Sequence, residues 1–441
     1  MAKRRFQLNA VQYLTVSFAA LILLGAVLLM LPISTRDGQL PPLDALFTAT
    51  SATCITGLVL YDTWTKFTIF GQAVLLVLIQ IGGLSFMTVS ILVSILLHRR
   101  IGLHRRAVLM DTVGALQVGG VVRLTRRAVM ITGLCEGIGA VLLSLWFVPR
   151  YGWGRGLWMA VFHAVSAFCN AGFDLLGTGA SLTTAAGEPL LNLILMVLII
   201  CGGLGFLVWD DVLTHRFQFR RWRLHSKIAF TSTLLLFGLG TLAFYILEGD
   251  HAFAGVSGGQ RWLMAAFQSV TPRTAGFNTA DLTALSESGT LLTMILMFVG
   301  AGSGSTGGGV KVNTVTVLVL GALAHVRRRE DVDLFHRRID DESVHKAFST
   351  TSMYFMVCLA GCMVLCLQGI RLDDALFEAI SAIGTVGLSR GVTAALPTAS
   401  KLTVILLMFA GRVGSMSVAM AVTKDRPAPR LRHVSEKILI G

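Results

Sequence analysis

The chain has 441 residues, of which 54% are hydrophobic and 14% are charged. A soluble domain carries roughly a quarter charged residues, so this composition excludes an ordinary soluble protein and indicates a membrane protein with several spans. The net charge of +13 comes in short clusters between apolar runs. None of these clusters is long enough for a soluble basic domain, which argues against nucleic-acid binding.

The first predicted element is an apolar run over residues 14–31, preceded by three basic residues at 3–5. Runs of about 20 apolar residues can cross a hydrocarbon core of about 30 Å. A basic start followed by an apolar run also occurs in signal peptides. No small-residue cleavage site follows here, and Pro32 leads directly into the next element. We therefore expect a retained first span.

The predicted elements repeat four times: a long apolar helix, a short helix, a glycine loop and a second long helix. The expected helices are 12–32, 43–52 and 69–97; 126–148, 156–168 and 190–213; 226–247, 261–270 and 289–324; and 346–367, 373–383 and 401–423. The corresponding repeats are 1–105, 106–220, 221–340 and 341–441, the last including a C-terminal tail. This predicts an all-α membrane protein of four M1-P-M2 repeats with eight transmembrane helices.

Four loops carry the same signature, a glycine in a small, polar stretch. The segments are 53–58, 169–174, 271–278 and 384–389, and their central glycines, Gly57, Gly172, Gly276 and Gly387, lie 115, 104 and 111 residues apart. The preceding helices of about ten residues are too short to span, so each must be re-entrant. Non-helical backbone survives at membrane depth only inside protein or beside a water-filled cavity. The repeat therefore predicts a pore on a pseudo-fourfold axis.

The loop chemistry favours a monovalent cation. Glycine permits backbone angles that turn successive carbonyls inward, and helix C-termini carry partial negative charge. Thr53, Thr56, Thr274 and Thr385 could add hydroxyl oxygens. No acidic ring occurs in the loops, which argues against a calcium site. Asp174 either biases the outer mouth towards cations or is a turn residue, and the sequence leaves both open.

A glycine-rich segment interrupts the second long helix of the third repeat. Six glycines fall within 300–309: Gly300, Gly302, Gly304, Gly307, Gly308 and Gly309. Each costs a helix about 1 kcal/mol relative to alanine, so we expect a loop inside the membrane. Residues 302–307 also fit the dinucleotide fingerprint G-x-G-x-x-G. That fingerprint needs a preceding strand and a later carboxylate; neither is present, so we expect no nucleotide on this chain.

Charged residues inside predicted spans need a partner or water. Lys311 follows the glycine-rich segment, and Arg412 lies in the last span. A charge at the bilayer centre costs at least about 2.5–3.5 kcal/mol on insertion scales. A structural ion pair is the alternative for Arg412. For Glu136, in the first long helix of the second repeat, we expect an interhelical hydrogen bond rather than a transport site.

Basic clusters indicate the topology. The clusters 3–5, 99–106, 123–127, 216–227, 327–346 and 424–437 hold 26 of the 37 Lys and Arg residues. Cytoplasmic loops carry such an excess, which places these segments and both termini in the cytoplasm.

Seven cysteines lie mostly in apolar runs. Cys358, Cys362 and Cys366 share one helical face, and we interpret them as packing residues rather than metal ligands.

Taken together, segments 53–58, 166–173, 273–277 and 384–388 resemble the filter loops of the Trk/Ktr/HKT superfamily of potassium translocation subunits, most of all its Ktr membrane subunits. The resemblance covers nearly the whole chain. It implies a K⁺ filter at the four glycines and the carbonyls just before them. The implied filter residues are Thr53, Ile55, Thr56, Gly57, Asn170, Ala171, Gly172, Thr274, Ala275, Gly276, Thr385, Val386 and Gly387. With one glycine per loop, we expect weaker selectivity than in dedicated K⁺ channels.

The same resemblance implies a gate and partners. The glycines of 300–309, Lys311 and Arg412 would form an intramembrane gate beneath the filter. The family's membrane subunit is a homodimer, and a cytosolic nucleotide-binding ring of RCK type would dock on the basic loops 98–127, 214–227 and 325–346 and on the tail 424–441.

The sequence thus predicts gated potassium uptake across a bacterial inner membrane, in contact with membrane lipids and driven by the membrane potential. Na⁺ is a second candidate, either as an ion or as a requirement. A K⁺ symporter coupled to H⁺ or Na⁺ on the same scaffold is the alternative. An intramembrane enzyme would need paired carboxylates, HExxH or a Ser/Lys dyad in the spans, and we find none, so we expect no enzymatic activity.

Overall fold

The structure, a computed structural model, describes residues 10–84, 121–216, 218–329 and 331–414. The regular secondary structure of these residues is helical except for an antiparallel hairpin of β1 (Val332–Leu334) and β2 (Arg337–Ile339). The all-α prediction therefore needs a small correction. Phe335 and His336 have φ angles of 52° and 59°, as a two-residue hairpin turn requires. The turn was not predictable, because such turns usually contain Asn, Asp or Gly.

The described helices follow one another in chain order. They are α1 (Ala10–Met30), α2 (Pro42–Cys54), α3 (Thr63–Lys66), α4 (Ile69–Leu84), α5 (Val121–Tyr151), α6 (Trp153–Phe168), α7 (Pro189–Leu204) and α8 (Phe206–His215). After these come α9 (Leu224–Leu247), α10 (Gly258–Val270), α11 (Glu287–Phe298), α12 (Val312–Val326), α13 (Asp341–Leu367), α14 (Leu372–Gly384) and α15 (Thr398–Val413).

Three helices of the described residues are long and apolar enough to cross a membrane. They are Val122–Tyr151 of α5, Leu224–Leu247 and Asp341–Leu367. The pair α7 and α8 is a fourth candidate, bent by 92° at its break. Shorter apolar helices run over Thr15–Met30, Ile69–Leu84, Glu287–Phe298 and Val312–Val326. Large apolar side chains stand exposed along the long helices, as they do where helices face lipid.

The expected single helix 190–213 is wrong, because the chain breaks at Gly205. Gly205 has a φ of 100°, which side chains rarely adopt. A Cβ atom built there would lie 2.7 Å from the Ser303 carbonyl oxygen, and the Phe206 amide donates to the Gly304 carbonyl at 2.9 Å. The break therefore makes room for the glycine-rich segment. Contact between Gly205 and that segment is tertiary, so hydropathy does not reveal it.

The glycine-rich segment itself lies between two helices. Helix α11 ends at Phe298 and α12 begins at Val312, so residues 299–311 are non-helical. This interruption includes the segment 300–309, where the glycines predicted a loop. The predicted helices ending near residues 97 and 423, and the boundary between residues 105 and 106, extend outside the described residues.

Four short helices, α2, α6, α10 and α14, carry the glycine loops at their C-terminal ends. Each contains a phenylalanine, nine or ten residues before its loop glycine, that is fully buried. These residues are Phe47, Phe162, Phe267 and Phe377. The repeated core position indicates that each short helix is anchored in the interior by a buried phenylalanine at a similar distance from its loop glycine.

Helix α13 begins with a side-chain cap outside its apolar stretch. The Asp340 carboxylate accepts hydrogen bonds from the Ser343 amide at 2.9 Å and from the Ser343 hydroxyl at 2.9 Å. These bonds hold the pKa of Asp340 below its usual range. The cap fixes where the helix starts after the hairpin.

Candidate functional site

The four glycine loops share one backbone distortion. Residues two positions before the loop glycines have positive φ angles: Ile55 (58°), Asn170 (58°), Thr274 (69°) and Thr385 (50°). The glycines themselves, in the same order, have φ of 90°, 72°, 78° and 91°. Non-glycine residues seldom adopt this region. Its recurrence at one position in each of four loops shows that the repeat extends to backbone geometry.

Hydrogen bonds at the helix ends hold this distortion. The amides of Thr56, Ala171 and Val386 donate to carbonyls five residues earlier, at 2.8, 2.7 and 2.8 Å. This bond, with a left-handed residue inside it, is a common way to end a helix. In the third loop the Ala275 amide donates instead to the Thr271 carbonyl, four residues earlier, at 3.0 Å. The third loop therefore departs from the pattern of the other three.

The loops meet in a closed ring, in chain order. A Cβ atom built on each loop glycine would contact the carbonyl oxygen that precedes the glycine of a neighbouring loop. The pairs of glycine and carbonyl are Gly57 with Ala171 (2.6 Å), Gly172 with Ala275 (2.9 Å), Gly276 with Val386 (2.8 Å) and Gly387 with Thr56. Since the fourth loop closes on the first, four carbonyl oxygens and four Cα atoms lie around one centre.

Buried polar atoms without a protein partner cluster at the same loops. They are the hydroxyls of Thr53, Thr56, Thr274 and Thr385 and the side-chain amide nitrogen of Asn170, and all five residues are fully buried. Leaving a buried polar group unpaired costs about 1–3 kcal/mol. Among the described residues, no group of three or more His, Cys, Asp or Glu side chains could hold a metal ion. The oxygen atoms here are neutral ones.

An open cavity of about 340 Å³ lies on one side of the ring, and all four loop glycines line it. Asp62 and Asp174 line it too. Asp174 also accepts a hydrogen bond from the Leu176 amide at 3.1 Å. The two alternatives for Asp174 are therefore compatible, because the residue forms a turn and faces the cavity.

The segment 299–311 lies directly against the loops. A Cβ atom at Gly307 or Gly308 would clash with the hydroxyls of Thr274 and Thr385 respectively. The Thr306 hydroxyl donates to the Phe168 carbonyl at 3.1 Å. The segment thus touches three of the four loops at close range, and it can do so because two glycines take the tightest positions.

Two cationic side chains hold this segment. The Lys311 ammonium donates to the Gly307 carbonyl at 2.5 Å and lies 3.4 Å from the Gly308 carbonyl. The Arg412 guanidinium donates to the carbonyls of Thr306 at 2.5 Å and Gly82 at 2.6 Å. These partners of Arg412 are backbone carbonyls, so the ion-pair alternative finds no support in them.

Arg412 occupies a position that is glycine in the first and second units. Gly82, Gly202 and Gly411 each pack against a carbonyl four residues before a loop glycine, those of Thr53, Phe168 and Ile383. The residues that follow them are Gly83, Gly203 and Arg412. The position after the packing glycine is therefore small in the first two units and a guanidinium in the last unit.

Sequence reasoning placed the loop residues and Lys311 and Arg412 near one another, and the structure brings them together. It missed Thr306, whose hydroxyl ties the glycine-rich segment to the second loop. No sequence signal marks this residue, because a threonine in a small, polar segment is unremarkable until its tertiary partner is known.

These features define a class, that of helical membrane proteins in which short helices carry a central ring of backbone carbonyl oxygens. A family model described as TrkH, cation transport protein, matches residues 5–434. The chain is 39% identical to Ktr system potassium uptake protein B of Bacillus subtilis, over 98% of this chain and 96% of that protein. It is 38% identical to potassium/sodium uptake protein NtpJ of Enterococcus hirae, over 100% and 99% of the two chains.

A solved structure has the same fold. The crystal structure of the potassium transporter TrkH from Vibrio parahaemolyticus superposes with a TM-score of 0.78 at 17% identity, covering 96% of this chain and 86% of that one. The chain belongs to the TrkH family of cation transport proteins. It is accordingly an ion transporter and not an enzyme.

Proposed function

We propose that this chain is a potassium-uptake pore in which the ring of four glycine loops binds the ion. The observation that carries the proposal is the closed cycle of loop glycines and carbonyl oxygens. Backbone carbonyls can replace an ion's hydration shell, and the unpaired threonine hydroxyls add oxygens of the same neutral kind. The names of the two bacterial relatives, potassium uptake and potassium/sodium uptake, agree with this ion.

The proposed filter consists of the loop glycines and the residues just before them. It comprises Thr53, Ile55, Thr56, Gly57, Asn170, Ala171, Gly172, Thr274, Ala275, Gly276, Thr385, Val386 and Gly387. The four units 1–105, 106–220, 221–340 and 341–441 would then be M1-P-M2 repeats, with eight spans about a pseudo-fourfold axis. The common backbone distortion and the common buried phenylalanine support this assignment.

The proposed gate is the segment 299–311 with Lys311 and Arg412. It lies against the filter residues Thr274 and Thr385, and the two cations fix it through carbonyls. A positive charge beneath a cation filter also raises an electrostatic barrier to the ion. In this proposal, ions pass only when the segment moves aside. That movement breaks the hydrogen bonds that join Thr306 to the Phe168 carbonyl and to the Arg412 guanidinium.

A separate regulator belongs to the proposal. The match to Ktr system subunits supports a cytosolic partner, which we expect to be a nucleotide-binding ring of RCK type on the basic loops, with a homodimer of this chain in the membrane. Both termini would face the cytoplasm of a bacterial inner membrane. A K⁺ symporter coupled to H⁺ or Na⁺ on the same scaffold is the second candidate, and the potassium/sodium name of one relative favours Na⁺.

Growth rescue tests the function directly. Expressed in a bacterium that lacks potassium uptake, the chain should restore growth at low potassium, and Gly276→Ser at equal membrane level should not. At Gly276 a side chain would meet the Val386 carbonyl at 2.8 Å and the Gly172 Cα at 2.9 Å. Purified protein should pass Rb⁺ into liposomes in parallel, which removes dependence on a host regulator. Equal transport by Gly276→Ser in both assays would refute the filter assignment.

A further inference from the structure

A carboxyl group inside the helical bundle reaches the back of the second filter loop. Glu136 lies in α5 (Val121–Tyr151), between Leu134 and Ile138, whose side chains are 60% and 53% exposed. An ionisable residue within such an apolar span is expensive and generally serves function, with a specific partner. Nothing in the filter or the gate described above uses this group.

The partners of Glu136 come from two other elements. Gln80, in α4, donates its side-chain amide to Glu136 Oε2 at 3.2 Å. The thiol of Cys169, just after α6, lies 3.7 Å from Glu136 Oε1 and 3.8 Å from Gln80 Oε1. The thiol has one proton, so it donates to one of these two oxygens at a time. The three side chains form a closed polar triangle between α4, α5 and the start of the second loop.

The thiol has little room to leave this triangle. A Cβ atom built on Gly83 would lie 2.6 Å from Cys169 Sγ, so α4 packs tightly against the sulfur and only a glycine fits there. Cys169 is also fully buried. A buried polar group that loses its partner is destabilised, which favours the conformation in which the thiol keeps its contact.

Cys169 is followed directly by the part of the loop that forms the filter. Asn170 has the left-handed backbone, and the Ala171 carbonyl oxygen faces Gly57 in the ring. The residues at the same position in the other loops, three before each glycine, are Cys54, Arg273 and Gly384. Arg273 donates to Thr233 instead. The second loop is thus held, at this position, by contacts of its own with Glu136 and Gln80.

We infer that Glu136 is a positioning residue that acts through Cys169 and, with Gln80, fixes the Ala171 carbonyl and so the preference for K⁺ over Na⁺. The inference rests on the proposed function, because it assumes that the ring is the filter. A shift of the second loop would enlarge or distort the ring on one side. A distorted or more flexible ring discriminates less between ions of different size, so Na⁺ enters at less disadvantage.

The test compares Rb⁺ and Na⁺ uptake into liposomes for folded protein. Glu136→Leu should lower the Rb⁺ to Na⁺ flux ratio roughly five-fold, as expected for the loss of about one hydrogen bond's net contribution. Cys169→Ala should lower it in the same direction. The exchanged pair Gln80→Glu with Glu136→Gln keeps one carboxylate and one amide within reach of the thiol, and it should restore the ratio. Glu287→Gln, at an exposed glutamate in the first turn of α11, is the control and should retain it.

The outcomes separate this inference from the proposed function. Wild-type and Arg412→Ala proteins that both pass no Rb⁺ would defeat the proposed function itself. Selective wild-type protein with equally selective Glu136→Leu and Cys169→Ala variants would defeat only the positioning role. If Glu136→Leu does not fold, Cys169→Ala and the exchanged pair decide, because a purely structural defect would lower the amount of active protein without changing the ratio.

Discussion

The loop glycines meet two separate demands. The first is a positive φ angle, and the second is the close approach of a neighbouring loop. All four have positive φ, and all four would carry a Cβ into a neighbouring loop. Asn170, Thr274, Thr385 and Ile55 satisfy the first demand without being glycine, so backbone angle alone does not require glycine. What requires it is the close approach of neighbouring loops at the centre of the ring.

Replacing Gly172 with alanine separates the two demands. The added methyl group would lie 2.8 Å from the Gly276 Cα, and we expect Rb⁺ flux to fall at least roughly ten-fold, for a loss of about 1.4 kcal/mol or more. Gly255→Ala is the matched control, since Gly255 has a φ of 74° with nothing within 4 Å. Both variants bear the left-handed penalty of about 1–2 kcal/mol. Equal flux in the two proteins would show that the close approach is unimportant.

At the scale of elements, the broken helix α11–α12 contains the proposed gate. Its linking segment is held to α15 by Arg412, to its own chain by Lys311 and to the end of α6 by Thr306. Hydrogen bonds to charged groups contribute about 1.5–3 kcal/mol each. Few such bonds therefore set the balance between a segment that lies under the filter and one that has moved aside.

Arg412→Ala should raise flux through the pore, roughly ten-fold or more, because it removes the charge-assisted hydrogen bond that holds the Thr306 carbonyl of the segment and the positive charge beneath the proposed filter. Shortening Gly302–Gly309 should act in the same direction. Liposome Rb⁺ uptake measures both, and Arg371→Ala serves as the control, with a side chain that is 81% exposed at the start of α14. Unchanged flux in folded Arg412→Ala protein would remove Arg412 from the gate.

The elements also show how far the sequence predicts the structure. The short helices 43–52, 156–168, 261–270 and 373–383 and the interruption at 300–309 were predictable, because glycine and helix length act locally. The break at Gly205 was not, since glycine is frequent within membrane helices and its reason is a contact with Ser303. The triangle of Gln80, Glu136 and Cys169 joins residues up to 89 positions apart, beyond what spacing indicates.

At the scale of the whole molecule, the driving force follows from the charge of the ion. A membrane potential of about 100 mV is worth about 2.3 kcal/mol for one cation, which corresponds to roughly fifty-fold accumulation. Passive flow through the proposed pore needs no other energy source. A coupled carrier would respond to a second gradient as well.

Planar bilayers under voltage clamp distinguish these mechanisms. For passive flow, a ten-fold K⁺ gradient should set a reversal potential of about 59 mV, reduced to the extent that Na⁺ also passes. A pH gradient at equal K⁺ on both sides should leave the reversal potential at zero. Arg412→Ala protein, with its larger expected current, suits the measurement. A reversal potential that follows the proton gradient would indicate symport.

The single guanidinium at Arg412 depends on the covalent linkage of the four units. A tetramer of identical subunits would have to carry every substitution four times, and four arginines at this level would repel one another in a narrow space. In one polypeptide, the fourth copy can diverge while Gly83 and Gly203 stay small. A single chain thus permits one asymmetric guanidinium, carried by α15, to reach both the Thr306 carbonyl and the Gly82 carbonyl of α4.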